Sequence, residues 1–167
     1  MQCSSRVPTL GWALILVFGF LAGVYAQAAS PMAGTWILNV AKSKYSPGPP
    51  PKSGTSRYEV TQDGIKTNHD GVNAQGQRTT QVSACKFGQD CAPTRTIDGS
   101  PNPSQVTIVW KRVDDYTYEY TTKTANDPST EAGRIVIAKD GKTMSRTISG
   151  KNAQGQAVNN TVFHEKR

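Results

Sequence analysis

Few side chains in this 167-residue sequence could do chemistry, and their spacing limits what that chemistry is. The two histidines are His69, next to Asp70, and His164, next to Glu165. On a strand, sequence neighbours point to opposite faces, so neither carboxylate can orient the imidazole beside it. A His–carboxylate dyad would have to be assembled across strands. The sequence holds no Ser nucleophile elbow, no His-rich metal spacing and no Gly-rich phosphate cradle. No residue is therefore assigned a catalytic role, no metal and no cofactor are expected, and a hydrolase-type enzyme ranks last among the function classes.

Binding chemistry is better supplied. Arg146 shares its face with Met144 and Ile148, and Arg78 shares a face with Val82. An arginine among apolar neighbours either meets an anion inside, such as a ligand carboxylate or a buried Asp or Glu, or is turned to solvent by a local bulge. Both alternatives stand for both residues. Tyr116, Tyr118 and Tyr120 line one face of a run, and Val106, Ile108 and Trp110 line one face of the run before it. The two stripes should meet across a hairpin, either as core or as an aromatic wall with hydroxyls for a ligand's polar end. Arg146, Tyr118, Tyr120 and Trp110 are the candidate ligand-binding residues.

Cysteine usage and the N-terminal residues speak to compartment. A basic Arg6, an uncharged apolar run from Leu10 to Val24 and the small-residue site Val24-Tyr25-Ala26 read as a signal peptide over 1–26. The run is shorter than the roughly 20 residues a membrane-spanning helix needs, so no stable membrane insertion is expected after cleavage. Cys3 leaves with the leader, and the remaining pair, Cys85 and Cys91, suits a disulfide at a hairpin tip in an oxidising compartment, periplasm or medium. The formal net charge of +7 comes from Lys and Arg scattered among Thr, Ser and Gln rather than gathered on one face, which argues against nucleic-acid binding.

The elements that must position these residues are strands. Residues 27–167 lack helical periodicity, and runs rich in Val, Ile, Thr and Tyr recur between Gly, Asp, Asn and Pro punctuation. Strands are expected over 34–40, 56–62, 65–70, 77–84, 92–97, 105–113, 117–123, 133–138, 143–151 and 156–164, with an irregular Pro-rich segment over 41–54. A repeat also stands out: Asn73-Ala74-Gln75-Gly76-Gln77 recurs as Asn152-Ala153-Gln154-Gly155-Gln156, each after an Asp-Gly turn and a strand, with two extra residues expected in the second middle strand. A hairpin turn with glycine at positive φ accounts for the repeat. The fold class is all-β, a single-domain antiparallel up-and-down meander of about ten strands closing into a barrel, which removes exposed edges. A two-sheet sandwich is the alternative.

Gly34-Thr35-Trp36 resembles the Gly-x-Trp opening of the calycins, the lipocalins and fatty-acid-binding proteins, which implies that Trp36 packs the end of a barrel. The stretch from Gly34 through Pro49, with Asn152 through Asn160, resembles a group of short exported bacterial proteins. That likeness covers nearly the whole of residues 27–167 and implies compartment and fold rather than an activity. The Pro-rich segment stands where fatty-acid-binding proteins have two short helices. The expected function is an exported lipocalin-like protein binding a small, partly apolar or anionic ligand. An envelope-structural or protein-interaction module without a small ligand is the alternative, and oligomeric state is not readable.

Overall fold

The structure is a computed structural model that describes residues 29–102 and 105–167. The expected leader and Cys3 lie outside the described residues. Twelve strands form one antiparallel sheet, with no helix among the described residues. In chain order they are β1 (Gly34–Lys44), β2 (Ser53–Val60), β3 (Gly64–Val72), β4 (Arg78–Lys86), β5 (Asp90–Cys91), β6 (Thr94–Ile97), β7 (Ser100–Pro101), β8 (Val106–Arg112), β9 (Thr117–Thr124), β10 (Thr130–Ile137), β11 (Thr143–Lys151) and β12 (Ala157–Lys166). Each of the ten expected runs carries a strand. The two additions, β5 and β7, are two-residue pairings that leave little trace in sequence pattern. The irregular Pro-rich segment is shorter than expected, because β1 runs on to Lys44 through a register shift after Asn39 and β2 begins at Ser53.

Neighbours in the sheet run β5-β8-β9-β10-β11-β12-β1-β2-β3-β4-β6-β7, so β1 pairs with β12 and brings the chain ends together. The sheet is a strongly curled open half-barrel, with β5 and β7 as its free ends. The opening has a local cause. The first half of β4 pairs with β6, from Thr79↔Ile97 to Val82↔Thr94, while its end turns away through the Cys85–Cys91 hairpin. Strand β7 cannot extend the sheet far, since Pro101 has no N–H to give to a ladder.

At the turned end the two margins meet. Cys91 pairs with Ile108 of β8, Gly88 N–H donates to the Trp110 carbonyl at 2.8 Å, and Cys85 and Cys91 are joined with Cα atoms 5.5 Å apart. The disulfide therefore ties β4 to the strand that carries Trp110. Replacing both cysteines by serine should lower unfolding stability by about 2 kcal/mol, the low end for disulfides because the closed loop is short. Denaturant melts in the oxidised and reduced states would show it, and unchanged melts would remove the bridge from the list of stabilising elements.

The inward face changes character along the strands. At one end Trp36, Ile65, Tyr118, Ile135, Ile137 and Met144 pack around Met32, all nearly inaccessible to solvent. Each such side chain contributes roughly 1.5–3 kcal/mol on leaving water. Trp36 donates its indole N–H to the Met32 carbonyl at 2.8 Å, and Lys166 Nζ sits 5.0 Å over the Trp36 ring while donating to the Pro31 carbonyl at 2.9 Å. Toward the other end the inward residues turn polar.

The repeated pentapeptide forms the same turn twice. Asn73 Oδ1 accepts from Gln77 N–H at 2.9 Å and Asn73 Nδ2 donates to Gln77 Oε1 at 2.9 Å; Asn152 and Gln156 make the same two bonds at 2.9 and 2.8 Å. Gly76 and Gly155 take φ of 91° and 74°, which a side chain would resist. The middle strands, β3 and β11, are both nine residues long, so the two extra residues lie in the second Asp-Gly turn and not in its strand. Gly141 is in the left-handed region at φ 68°, whereas a Cβ on Gly64 would stand 2.4 Å from the Cys85 carbonyl oxygen.

Candidate functional site

The polar end of the concave face holds a half-open cavity of about 430 Å³. Its wall is assembled from nearly every long strand: Leu38, Ser56, His69, Gln81, Trp110, Tyr120, Glu131, Arg146 and His164 all line it, with Arg95 from β6 and Tyr45 and Pro51 from the Pro-rich segment. That segment is held on β12, where Ser46 N–H donates to Asn160 Oδ1 at 2.9 Å and Asn159 N–H donates to the Ser46 carbonyl at 2.7 Å.

Of the candidate residues, Arg146, Trp110 and Tyr120 are brought together here, and Tyr118 is not. Trp110 and Tyr120 are cross-strand partners whose ring centroids lie 5.0 Å apart. The Tyr120 ring lies over Gly133 so closely that a Cβ there would come within 2.1 Å of it. Tyr118 belongs to the apolar end, fully buried, its hydroxyl 2.8 Å from Ser30 Oγ and its ring 6.3 Å from Phe87. The two arginines raised as possible inward residues part company. Arg146 points in between buried Met144 and Ile148, while Arg78 is exposed at the outer margin of β4 beside Val82, itself 49 % exposed. Val82 suggested an apolar face that solvent in fact reaches.

Arg146 is the electrostatic centre of the cavity. Its Nε is buried without a hydrogen-bond partner, and it takes part in no ion pair among the described residues. Burial works against its charge, but Tyr120, Tyr58, Glu131 and Tyr45 around it outweigh that and hold the guanidinium above its ordinary range. Burial pushes the hydroxyls of Tyr120, Tyr58 and Tyr45 up, so at neutral pH they present dipoles rather than charges. Trp110 Nε1 and His164 Nδ1 are likewise buried without partners. On β6, Arg95 is better provided for, its Nε donating to Gln81 Oε1 at 2.7 Å, and burial lowers its proton affinity.

Both histidines face this cavity, which the sequence left unassigned except on an enzymatic reading. Glu165 lies on the outer side of β12, with Lys42 Nζ at 3.0 Å and Asn39 Nδ2 at 2.9 Å from its Oε1, as strand alternation requires. His69 Nδ1 is 2.8 Å from Ser56 Oγ, its partner across β2 and β3. Burial, then Arg146, His164 and Arg95, depress His69 to a pKa of about 3; burial and Arg146 do the same to His164, also about 3. The Ser56–His69 pair has the contact of a nucleophile and base, but a base near 3 is far from the pKa near operating pH that proton abstraction favours. No hydrogen bond from a carboxylate to either imidazole is found among the described residues. What the arrangement does is set the Arg146 cation among polar side chains at the wall of the cavity.

Tyr45, Arg95 and Glu131 escaped the sequence reading. Tyr45 sits in a Pro-rich stretch, Arg95 in a short strand and Glu131 ahead of the expected start of β10, where no alternation signals an inward face. No protein-family model matches the chain, and no curated protein matches it.

Proposed function

We propose that this protein is an exported, lipocalin-like container that binds a small, partly apolar anion within the half-barrel. The observation that carries the reading is Arg146, a half-buried cation that lines the cavity and joins no ion pair among the described residues. A cation without an ion-pair partner gains one when an anion binds, and a hydrogen bond to a charged group contributes about 1.5–3 kcal/mol. The cavity volume falls in the range of small-molecule sites. Leu38, Ile97, Ile108 and Val162 supply the apolar part of its lining. Export is supported by the Cys85–Cys91 disulfide, which an oxidising compartment preserves, and by the leader-like residues 1–26.

Thermal-shift titration with aliphatic and aromatic carboxylates, beside their uncharged amides, tests this reading. A carboxylate at about 100 times its Kd should stabilise the folded state by about 2.7 kcal/mol, and its amide should not. If no acid moves the melting temperature, the container reading fails and an interaction module without a small ligand takes its place.

A further inference from the structure

The cavity wall carries two opposite charges that do not pair with each other. Glu131 of β10 lies opposite Gly150 of β11, and Arg146 of β11 lies opposite Ile135 of β10. The four-residue offset separates their positions by about 13 Å along the strands at ~3.3 Å per residue. Tyr120 O–H donates to Glu131 Oε1 at 3.1 Å, and neither Glu131 nor Arg146 joins an ion pair among the described residues. One cavity thus sets a guanidinium, Arg146, at one level and a carboxylate with acceptor capacity beyond its Tyr120 bond at another, with Trp110, the cross-strand partner of Tyr120, at the level between them. The complement of that pattern is an acid at one end and a hydrogen-bond donor at the other.

Resting on the container reading above, we propose that the cavity selects short carboxylic acids bearing a hydroxyl or ammonium group at the far end, the carboxylate seated on Arg146 and the donor on Glu131. The body between them lies against the Trp110 and Tyr120 rings and the Ile108 and Val162 side chains. A long alkyl chain finds little to bury against, because the aliphatic lining is limited to side chains such as Leu38, Ile97, Ile108 and Val162. Arg95, already bonded to Gln81, adds positive potential on the facing wall without supplying the unsatisfied donor.

Calorimetric titration of the protein at pH 7 with 3-phenylpropanoate, 3-(4-hydroxyphenyl)propanoate and hexadecanoate tests the proposal. The hydroxylated acid should bind about tenfold tighter than its parent, the gain expected of a hydrogen bond to a charged acceptor. Hexadecanoate should bind more weakly than either. In E131Q the advantage of the hydroxylated acid should fall about threefold, to about threefold over its parent, since a neutral acceptor gives roughly half the bond strength. The wild-type ratio reads the preference without depending on how the variant folds. Equal affinities for the two phenyl acids, or a ratio that E131Q leaves unchanged, would overturn the donor assignment while leaving the container reading in place. Failure of all three acids to bind would remove both.

Discussion

Acidification from pH 7 to about 4.5 is expected to unfold this domain, and replacing both His69 and His164 by glutamine should keep it folded at that pH. The two imidazoles sit at a pKa of about 3 in the folded state, against an ordinary value of 6.5, because burial and the cations around them penalise protonation. The unfolded chain therefore binds more protons than the folded one between these values, and stability falls as pH falls through that window. The groups facing the imidazoles are Arg146 from β11, Arg95 from β6, Glu131 from β10, the hydroxyls of Tyr45, Tyr58 and Tyr120, and each histidine itself. Glu131 and Asp70, the carboxylates of the cavity lining, would favour the extra protons.

With two such sites the loss is roughly 2.7 kcal/mol per pH unit, so descending from 6.5 to about 4.5 removes about 5 kcal/mol. That matches the lower end of the 5–15 kcal/mol by which domains are usually stable. Trp36 and Trp110, 0 % and 4 % exposed, give the transition a fluorescence readout. The idea is sunk if the wild-type and H69Q/H164Q proteins lose structure at the same pH. The outer carboxylates of Asp114, Asp127 and Glu165 also sit below their ordinary values, yet they are exposed and present in both proteins, so the difference isolates the histidines.

The strands were legible because their period and punctuation are local. Tyr116, Tyr118 and Tyr120 meeting Val106, Ile108 and Trp110 follows from alternation and a tight turn alone. The margin of the sheet was not legible, since whether β4 pairs with β6 or reaches β8 depends on where the Cys85–Cys91 hairpin turns the chain. Alternation left both an inward and a solvated place open to Arg146 and Arg78 alike and could not distinguish them, since Val82, the apolar residue sharing a face with Arg78, lies on a solvent-facing stretch. Nor could it say that Tyr118 belongs to the apolar end and Tyr120, two residues later, to the cavity. That boundary is set by what the other strands contribute at each level: Met32 and Phe87 beside Tyr118, Gly133 and Glu131 beside Tyr120. The histidines were visible as residues but not as a pair, because β1 and β2 stand between β12 and β3 and only the curl of the sheet turns both toward one space.

Arg146→Met should make the ligand-free protein more stable and at the same time weaken anion binding, the largest functional loss expected of any single substitution here. If Arg146 were a structural tether, removing it would strand its partners and cost about 3–5 kcal/mol, as breaking a buried pair does. It joins no ion pair among the described residues, its Nε is unsatisfied, and the groups acting on it are three tyrosines and Glu131. Methionine fits the space between Met144, Ile148, Ile135 and Val162 and carries no charge to desolvate, so a gain of about 1–4 kcal/mol is the expected sign and size. The same change withdraws a cation that lowers both His69 and His164, which should shift the acid transition to lower pH. Affinity for 3-phenylpropanoate should drop by about 10- to 100-fold, the worth of a charge-assisted hydrogen bond. Denaturant titration and calorimetry on one preparation decide the matter. A destabilised variant that still binds the acid would mean that Arg146 holds the fold and that the anion site lies elsewhere. A stabilised variant that binds the acid more weakly would show a fold kept below its attainable stability by a charge that only a ligand can satisfy.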